Sequence, residues 1–248
     1  MCGRYAVTLP PEAMAQLFGT LNAIDFPPRY NIAPTQPIVA IWEEGGSRTA
    51  RLVRWGLVPG WVKDPREFPL LVNARAEGML DKPAFRTALR HHRCVVPASG
   101  YYEWHTGPDK KKQPFYITRA DGRPFAFAGL YSTWLGPNGE EIDTAATITV
   151  AANPELSAIH DRMPAILAAE EVAPWLDVRH VDAKEASAQA RPLAPGLVRF
   201  HPVDPRVGSA HVEGPELIEP FAPPAEPAEP PPKPEKPRKA ASGQLDLF

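Results

Sequence analysis

The 248-residue chain carries a net charge of −2, with 44% apolar and 23% charged residues, which excludes a collagen, a disulfide scaffold and a wholly disordered chain. Near-neutrality supplies no global basic field for nucleic acid and leaves only a local basic groove open. Its 32 prolines, about one residue in eight against a usual ~5%, predict a turn-rich body without long uninterrupted helices.

The N-terminal stretch MCGRYAVTLPPE lacks the basic region and apolar run of a signal peptide, and no segment approaches the ~18 apolar residues of a membrane span. A short helix is expected over 11–18, opening on Pro11. Runs rich in β-branched and aromatic residues predict strands over 38–42 and 49–57. Pro83 opens a second helix over 83–91, and strands are expected over 93–96, 115–118, 125–130 and 146–151. Asn153, a good N-cap ahead of Pro154, predicts a helix over 154–160, and another is expected over 183–190 before a strand over 197–201. Strands outnumber helices and do not alternate with them, so the fold class is α+β: a bent, barrel-like, mainly antiparallel sheet with short flanking helices.

The body runs over 1–222, after which 223–243 turns to Pro, Ala, Glu and Lys. Such a segment cannot bury enough apolar surface to offset its ordering entropy, and it reads as a disordered linker reaching about 65 Å at ~3.1 Å per residue. Residues 244–248 form a separate terminal peptide. Two cysteines, Cys2 and Cys94, are too few for a disulfide framework and point to a reducing, cytoplasmic setting.

Cys2 is the first chemical candidate. Once Met1 is removed it presents an amine and a thiol on adjacent carbons, and an α-amine with a pKa near ~7.7–8.0 is partly neutral at physiological pH. A neutral amine attacks an aldehyde to give an imine, and the thiol then closes onto the imine carbon as a thiazolidine. The bland alternative is a small residue in an incidental N-terminus. Asn73 and Arg75 in LLVNARAEG, Glu103 in SGYYEWH and His160 in LSAIHDRMPAIL are polar residues set among apolar ones. Each has an ordinary reading: Asn73 as a turn cap, Arg75 paired with Glu77, Glu103 on a solvated strand, His160 at a helix C-terminus. No metal is expected, since His91 and His92 lack ligand spacing, and no cofactor, since no phosphate-cradling glycine loop is present.

Taken in order, MCGRY at the N-terminus, YNIAPTQ at 30–36, WGLVPGW at 55–61, NARAE at 73–77, PASGYYEW at 97–104 and HDRMPAIL at 160–167 resemble the SRAP family, the SOS response-associated peptidase-like proteins. The resemblance spans Cys2 to about Glu219, and Val62 stands where a second aromatic can follow Trp61. It implies a DNA-damage protein that captures abasic sites in single-stranded DNA as a thiazolidine crosslink, and whose loss of Met1 is at least partly self-catalysed. Cys2, Asn73, Glu103 and His160 would be its catalytic residues: Cys2 supplies amine and thiol, His160 helps to open the cyclic sugar, Glu103 moves protons and Asn73 positions the reacting groups. Arg4, Arg75 and Arg162 would contact phosphates, Trp61 and Trp104 would stack on bases, and Asn31, Pro34 and Thr149 would line the DNA cleft. Trp42, Trp55, Trp134 and Trp175 read instead as core.

Gln244, Leu245, Asp246, Leu247 and Phe248 resemble the short peptide by which bacterial repair proteins bind the sliding clamp. The expected partners are therefore abasic single-stranded DNA and the clamp, for a cytoplasmic, nucleoid-associated monomer with no membrane contact. Two rival functions remain at this point. One is an N-terminal-cysteine peptidase or amidohydrolase in which the Cys2 thiolate attacks amides; the other is a non-catalytic, clamp-tethered DNA-binding adaptor.

Overall fold

In the first part of the chain, β1 (Tyr5–Val7), α1 (Pro11–Phe18) and β2 (Arg29–Ile32) lead into a hairpin of β3 (Pro37–Glu44) and β4 (Ser47–Trp55). The computed structural model describes residues 2–221, so the linker at 223–243 and the peptide at 244–248 lie outside the described residues. Next come β5 (Asn73–Arg75), α2 (Pro83–His91), β6 (Arg93–Ala98), β7 (Gly100–Thr106) and β8 (Lys112–Arg119). β9 (Phe125–Leu135), β10 (Glu141–Ala151), β11 (Arg162–Pro164), α3 (Ala169–Leu176), α4 (Ala183–Gln189) and β12 (Val198–Pro202) complete the order.

β10 pairs with β9 and also with β4, so β10, β4, β3, β6 and β9 close on themselves as a five-stranded barrel. Pairing is antiparallel except where β4 and β5 run parallel to β10. A second antiparallel sheet, ordered β12-β8-β7-β1-β2, packs its Tyr5 edge-on to Trp55 at 5.2 Å and its Tyr101 edge-on to Phe127 at 5.8 Å. The chain passes from barrel to sheet at Ala98–Gly100, where a Cβ on Gly100 would lie 2.4 Å from the Tyr116 ring. Only glycine lets the backbone cross there.

This is the expected α+β, barrel-like, mainly antiparallel architecture. The predicted strands lie within β3, β6, β8, β9 and β10, overlap β4 and start one residue before β12, and Pro11 and Pro83 occupy the first turns of α1 and α2. β4 stops at Trp55, because Gly56 has φ +133° and Leu57 keeps only a bridge to Leu71. The expected helix over 154–160 is a run of turns. Asn153 Oδ1 does accept the Leu156 N–H at 2.9 Å, but the segment bends out at Asp161 too soon to propagate a helix.

Trp42, Trp55, Trp134 and Trp175 are buried as expected. The last three donate their indole N–H to the carbonyls of Val72, Val62 and Cys94. Among the described residues no helix is long and apolar enough to cross a membrane.

Candidate functional site

Cys2 lies at the mouth of β1, where the second sheet meets the barrel, and is 1% exposed. Its carbonyl accepts the Asn73 Nδ2–H at 2.9 Å. Asn73 is itself oriented by Thr147 on β10, whose hydroxyl donates to Asn73 Oδ1 at 2.7 Å. That bond fixes the amide with its NH2 toward Cys2. The parallel pairing of β5 with β10, register Thr147 opposite Asn73, creates the contact. Burial first, and then the negative charge of Glu103, push the Cys2 thiol well above its usual range, so it is an S–H at neutral pH.

Glu103 on β7 is 2% exposed. Burial, with the nearby Asp161 carboxylate adding to it, pushes its carboxyl up to about 7. It therefore holds and gives up a proton with similar ease near neutrality. The 156–160 turn is tied over β7 by the His105 ring, whose Nδ1 lies 2.8 Å from the Ala158 carbonyl. His160 stands at the end of this turn, and burial lowers its pKa, Asp161 opposing. Its Nδ1 accepts the Arg162 backbone N–H at 3.0 Å, while an oxygen of Asp161 lies 2.9 Å from the same nitrogen. The two contacts favour opposite states of Nδ1. The strand N–H is fixed, whereas the Asp161 carboxylate is 85% exposed and screened by water, so the neutral ring carries its proton on Nε2.

The expected DNA-contacting residues are placed less uniformly. Arg75 is exposed at the end of β5 and makes no side-chain hydrogen bond or ion pair with another described residue. Its expected partner, Glu77, is taken by Arg162, which grips both Glu77 oxygens at 2.5 and 2.9 Å and also donates to the carbonyl of buried Thr149 at 2.6 Å. Arg4 donates to Asn31 Oδ1, Val207 O and Gly208 O, and the Asn31 amide donates to Ser209 and Val212, so this pair anchors the 207–212 loop. Pro34 is half-buried in the turn between β2 and β3, and Trp104 is half-buried against Tyr102, Tyr116 and Val203.

Trp61 is 59% exposed and braced edge-on by Phe68 at 5.6 Å. The adjoining Gly60 approaches the carbonyl of Thr133, which pairs with Asp143, four residues along β10 from Thr147. Cys2, Asn73, Glu103 and His160 thus come together, with Arg75 and Arg162 on the rim. Thr147 is a supporting residue that the sequence does not single out, because it acts only through Asn73, distant in the chain, and Glu77 pairs with Arg162 in place of its expected partner Arg75. Among the described residues no group of three or more His, Cys, Asp or Glu is placed to hold a metal.

The profile of the SOS response associated peptidase (SRAP) family matches residues 1–210. The chain is 36% identical over 222 residues to the abasic site processing protein YoqW of Bacillus subtilis, covering 88% of this chain and 99% of that one. It is 35% identical to the abasic site processing protein YedK of Escherichia coli, covering 89% and 100%. Identity with the abasic site processing protein HMCES of Rattus norvegicus is 31%, covering 89% and 76%. A crystal structure of a Bacteroides thetaiotaomicron protein superposes with a TM-score of 0.80 at 26% identity, covering 89% of this chain and all of that one.

Proposed function

Because the chain belongs to the SOS response associated peptidase (SRAP) family, and its curated relatives carry the name abasic site processing protein, we propose that it captures abasic sites in single-stranded DNA through Cys2. The observation that carries this reading is that Asn73 holds Cys2 by its carbonyl, next to a carboxyl that titrates near neutrality. Amine and thiol are left for chemistry.

Hydrolysis of the Met1–Cys2 peptide bond frees the amine. In the sugar, the His160 Nε2–H hydrogen-bonds the ring oxygen, and that oxygen takes up a proton through water as the hemiacetal hydroxyl loses one, which opens the ring to an aldehyde. The Cys2 amine adds to that carbon, and the carbinolamine loses water to form an imine. Cys2 Sγ then adds to the carbon of the protonated imine, its own proton passing to the Glu103 carboxylate, and a thiazolidine results with no net oxidation. Glu103, poised near 7, supplies the proton for water loss and takes up the proton released at closure. Arg75 offers an uncommitted guanidinium to a phosphate, and Arg162 can follow if Glu77 lets go.

The raised thiol pKa favours this reading over an N-terminal-cysteine peptidase or amidohydrolase, which needs a thiolate as first nucleophile. Addition to an imine asks less of the sulfur. The adaptor reading lacks any use for a buried Cys2–Glu103 pair. We further propose that the clamp-binding-like peptide 244–248 tethers the body to the bacterial sliding clamp. Mixing the protein with an abasic single-stranded oligonucleotide and measuring intact mass tests the main reading. An adduct equal to protein without Met1 plus DNA, less one water, is expected; the absence of any adduct overturns it.

A further inference from the structure

Away from Cys2, the last turn of α2 and the 178–184 stretch joining α3 to α4 enclose a cleft of about 470 Å³. Arg90, His91, Arg179, His180 and Lys184 line it, together with the apolar Leu80 and Val178. Buried Arg93, 1% exposed, brings these cations together. Its guanidinium donates to the carbonyls of Leu89, Trp175, Asp177 and Val181 at 2.9, 2.5, 2.7 and 2.9 Å, clamping the 177–181 loop onto the end of α2.

Three carboxylates stand nearby, Asp177, Asp182 and Glu185, and the first two are engaged locally. Asp182 lines the cleft and caps the Glu185 N–H at 2.8 Å. Asp177 takes the backbone N–H groups of Arg179 and His180 and pairs with the His180 ring. Arg90, Arg179 and Lys184 are exposed and make no side-chain hydrogen bond or ion pair with another described residue. A helix C-terminus accounts for Arg90 and His91 by itself. It does not account for Arg179 and Lys184, which come from other elements and are held beside them against their mutual repulsion.

We propose that this cleft is a second phosphate-binding site, which takes backbone phosphates of the same DNA strand that is held at Cys2. The inference rests on the reading of the Cys2 site given above. Leu80 lies five residues beyond Arg75, so the backbone at the edge of the cleft is at most ~18 Å from the Arg75 backbone on the site's rim. A strand that passes over Arg75 reaches the cleft within a few nucleotides.

The test compares wild type with the triple variant Arg90→Ala, Arg179→Ala, Lys184→Ala, and with Arg179→Glu alone. Single-stranded 5-mers and 20-mers bearing a non-reactive tetrahydrofuran lesion are titrated between 50 and 200 mM salt. On the 20-mer the triple variant should bind about tenfold more weakly, and its slope of log K against log salt should be shallower by about 2, from three lost contacts at ~0.7 each. Arg179→Glu should shift both quantities the same way. Binding of the 5-mer should be unchanged, which also reports an intact fold. Unchanged 20-mer affinity and slope, in a protein that still crosslinks abasic DNA, overturn the inference alone; failure of wild type to crosslink overturns the reading beneath it. Inorganic pyrophosphate that binds the cleft without displacing the 20-mer would assign the site to free phosphates and overturn the strand contact.

Discussion

The candidate site holds Cys2 by the backbone. Asn73 touches the Cys2 carbonyl and not its sulfur, so substitutions at Cys2 change the chemistry while the anchor stays. Cys2→Ala should abolish a heat-stable crosslink, and Cys2→Ser should give at most a labile adduct, since a hydroxyl closes the ring less readily than a thiol; denaturing gels before and after heating read the difference. Glu103 was legible as a polar residue but not as a buried one, because a lone Glu in YYEW looks like the solvated face of a strand. Burial also sets a pH signature. Its carboxyl rises from an ordinary 4.5 to about 7 on folding, so the folded state binds more protons between these values and stability falls as pH rises across that window. His160, lowered on folding, works in the opposite direction, so the difference between wild type and Glu103→Gln isolates the carboxyl. Melting curves at pH 5 and pH 8 should show the gap between variant and wild type widening in the variant's favour at pH 8.

At the scale of elements, the sequence revealed the barrel better than the site. The long strands β3, β4, β9 and β10 advertise themselves by β-branched and aromatic runs, whereas β5 and β11 have three residues each and carry Asn73, Arg75 and Arg162. Polar residues placed for chemistry interrupt the alternation by which a strand is recognised. Motif order therefore points to the candidate residues where periodicity does not. α3 was missed because Pro174 lies inside it, and Arg93 was missed because an arginine at the start of a strand gives no sign of being buried. Arg93→Leu should leave four carbonyls short of a donor and cost about 3 kcal/mol or more, a fall in Tm of roughly 6–12 °C by calorimetry. Thr147→Val removes the hydroxyl that orients Asn73, at about 1 kcal/mol, and should slow crosslinking several-fold while leaving the Tm within a few degrees.

For the whole molecule, the near-neutral charge makes binding a matter of where the cations sit. The body carries 23 basic and 25 acidic residues, yet Arg75 and, in the α2–α4 cleft, Arg90, Arg179 and Lys184 make no ion pair with a carboxylate among the described residues. Tethering through the terminal peptide would raise the body's local concentration at DNA that the clamp encircles, without any new contact. Replacing Leu247 and Phe248 with alanine should abolish binding to purified clamp, of micromolar order in the wild type, and leave crosslinking of a free abasic oligonucleotide unchanged. Retention of wild-type clamp affinity by that variant would return the peptide to an unassigned end.

The bond from the Arg162 backbone N–H to His160 Nδ1 puts the choice of tautomer in the path of the chain and in no side chain. Replacing the Arg162 side chain removes its grip on Glu77, yet the ring keeps its proton on the same nitrogen. Only proline at position 162, which has no N–H to give, would erase that instruction. The setting is thus sheltered from nearly every point mutation and invisible to any comparison of residue types.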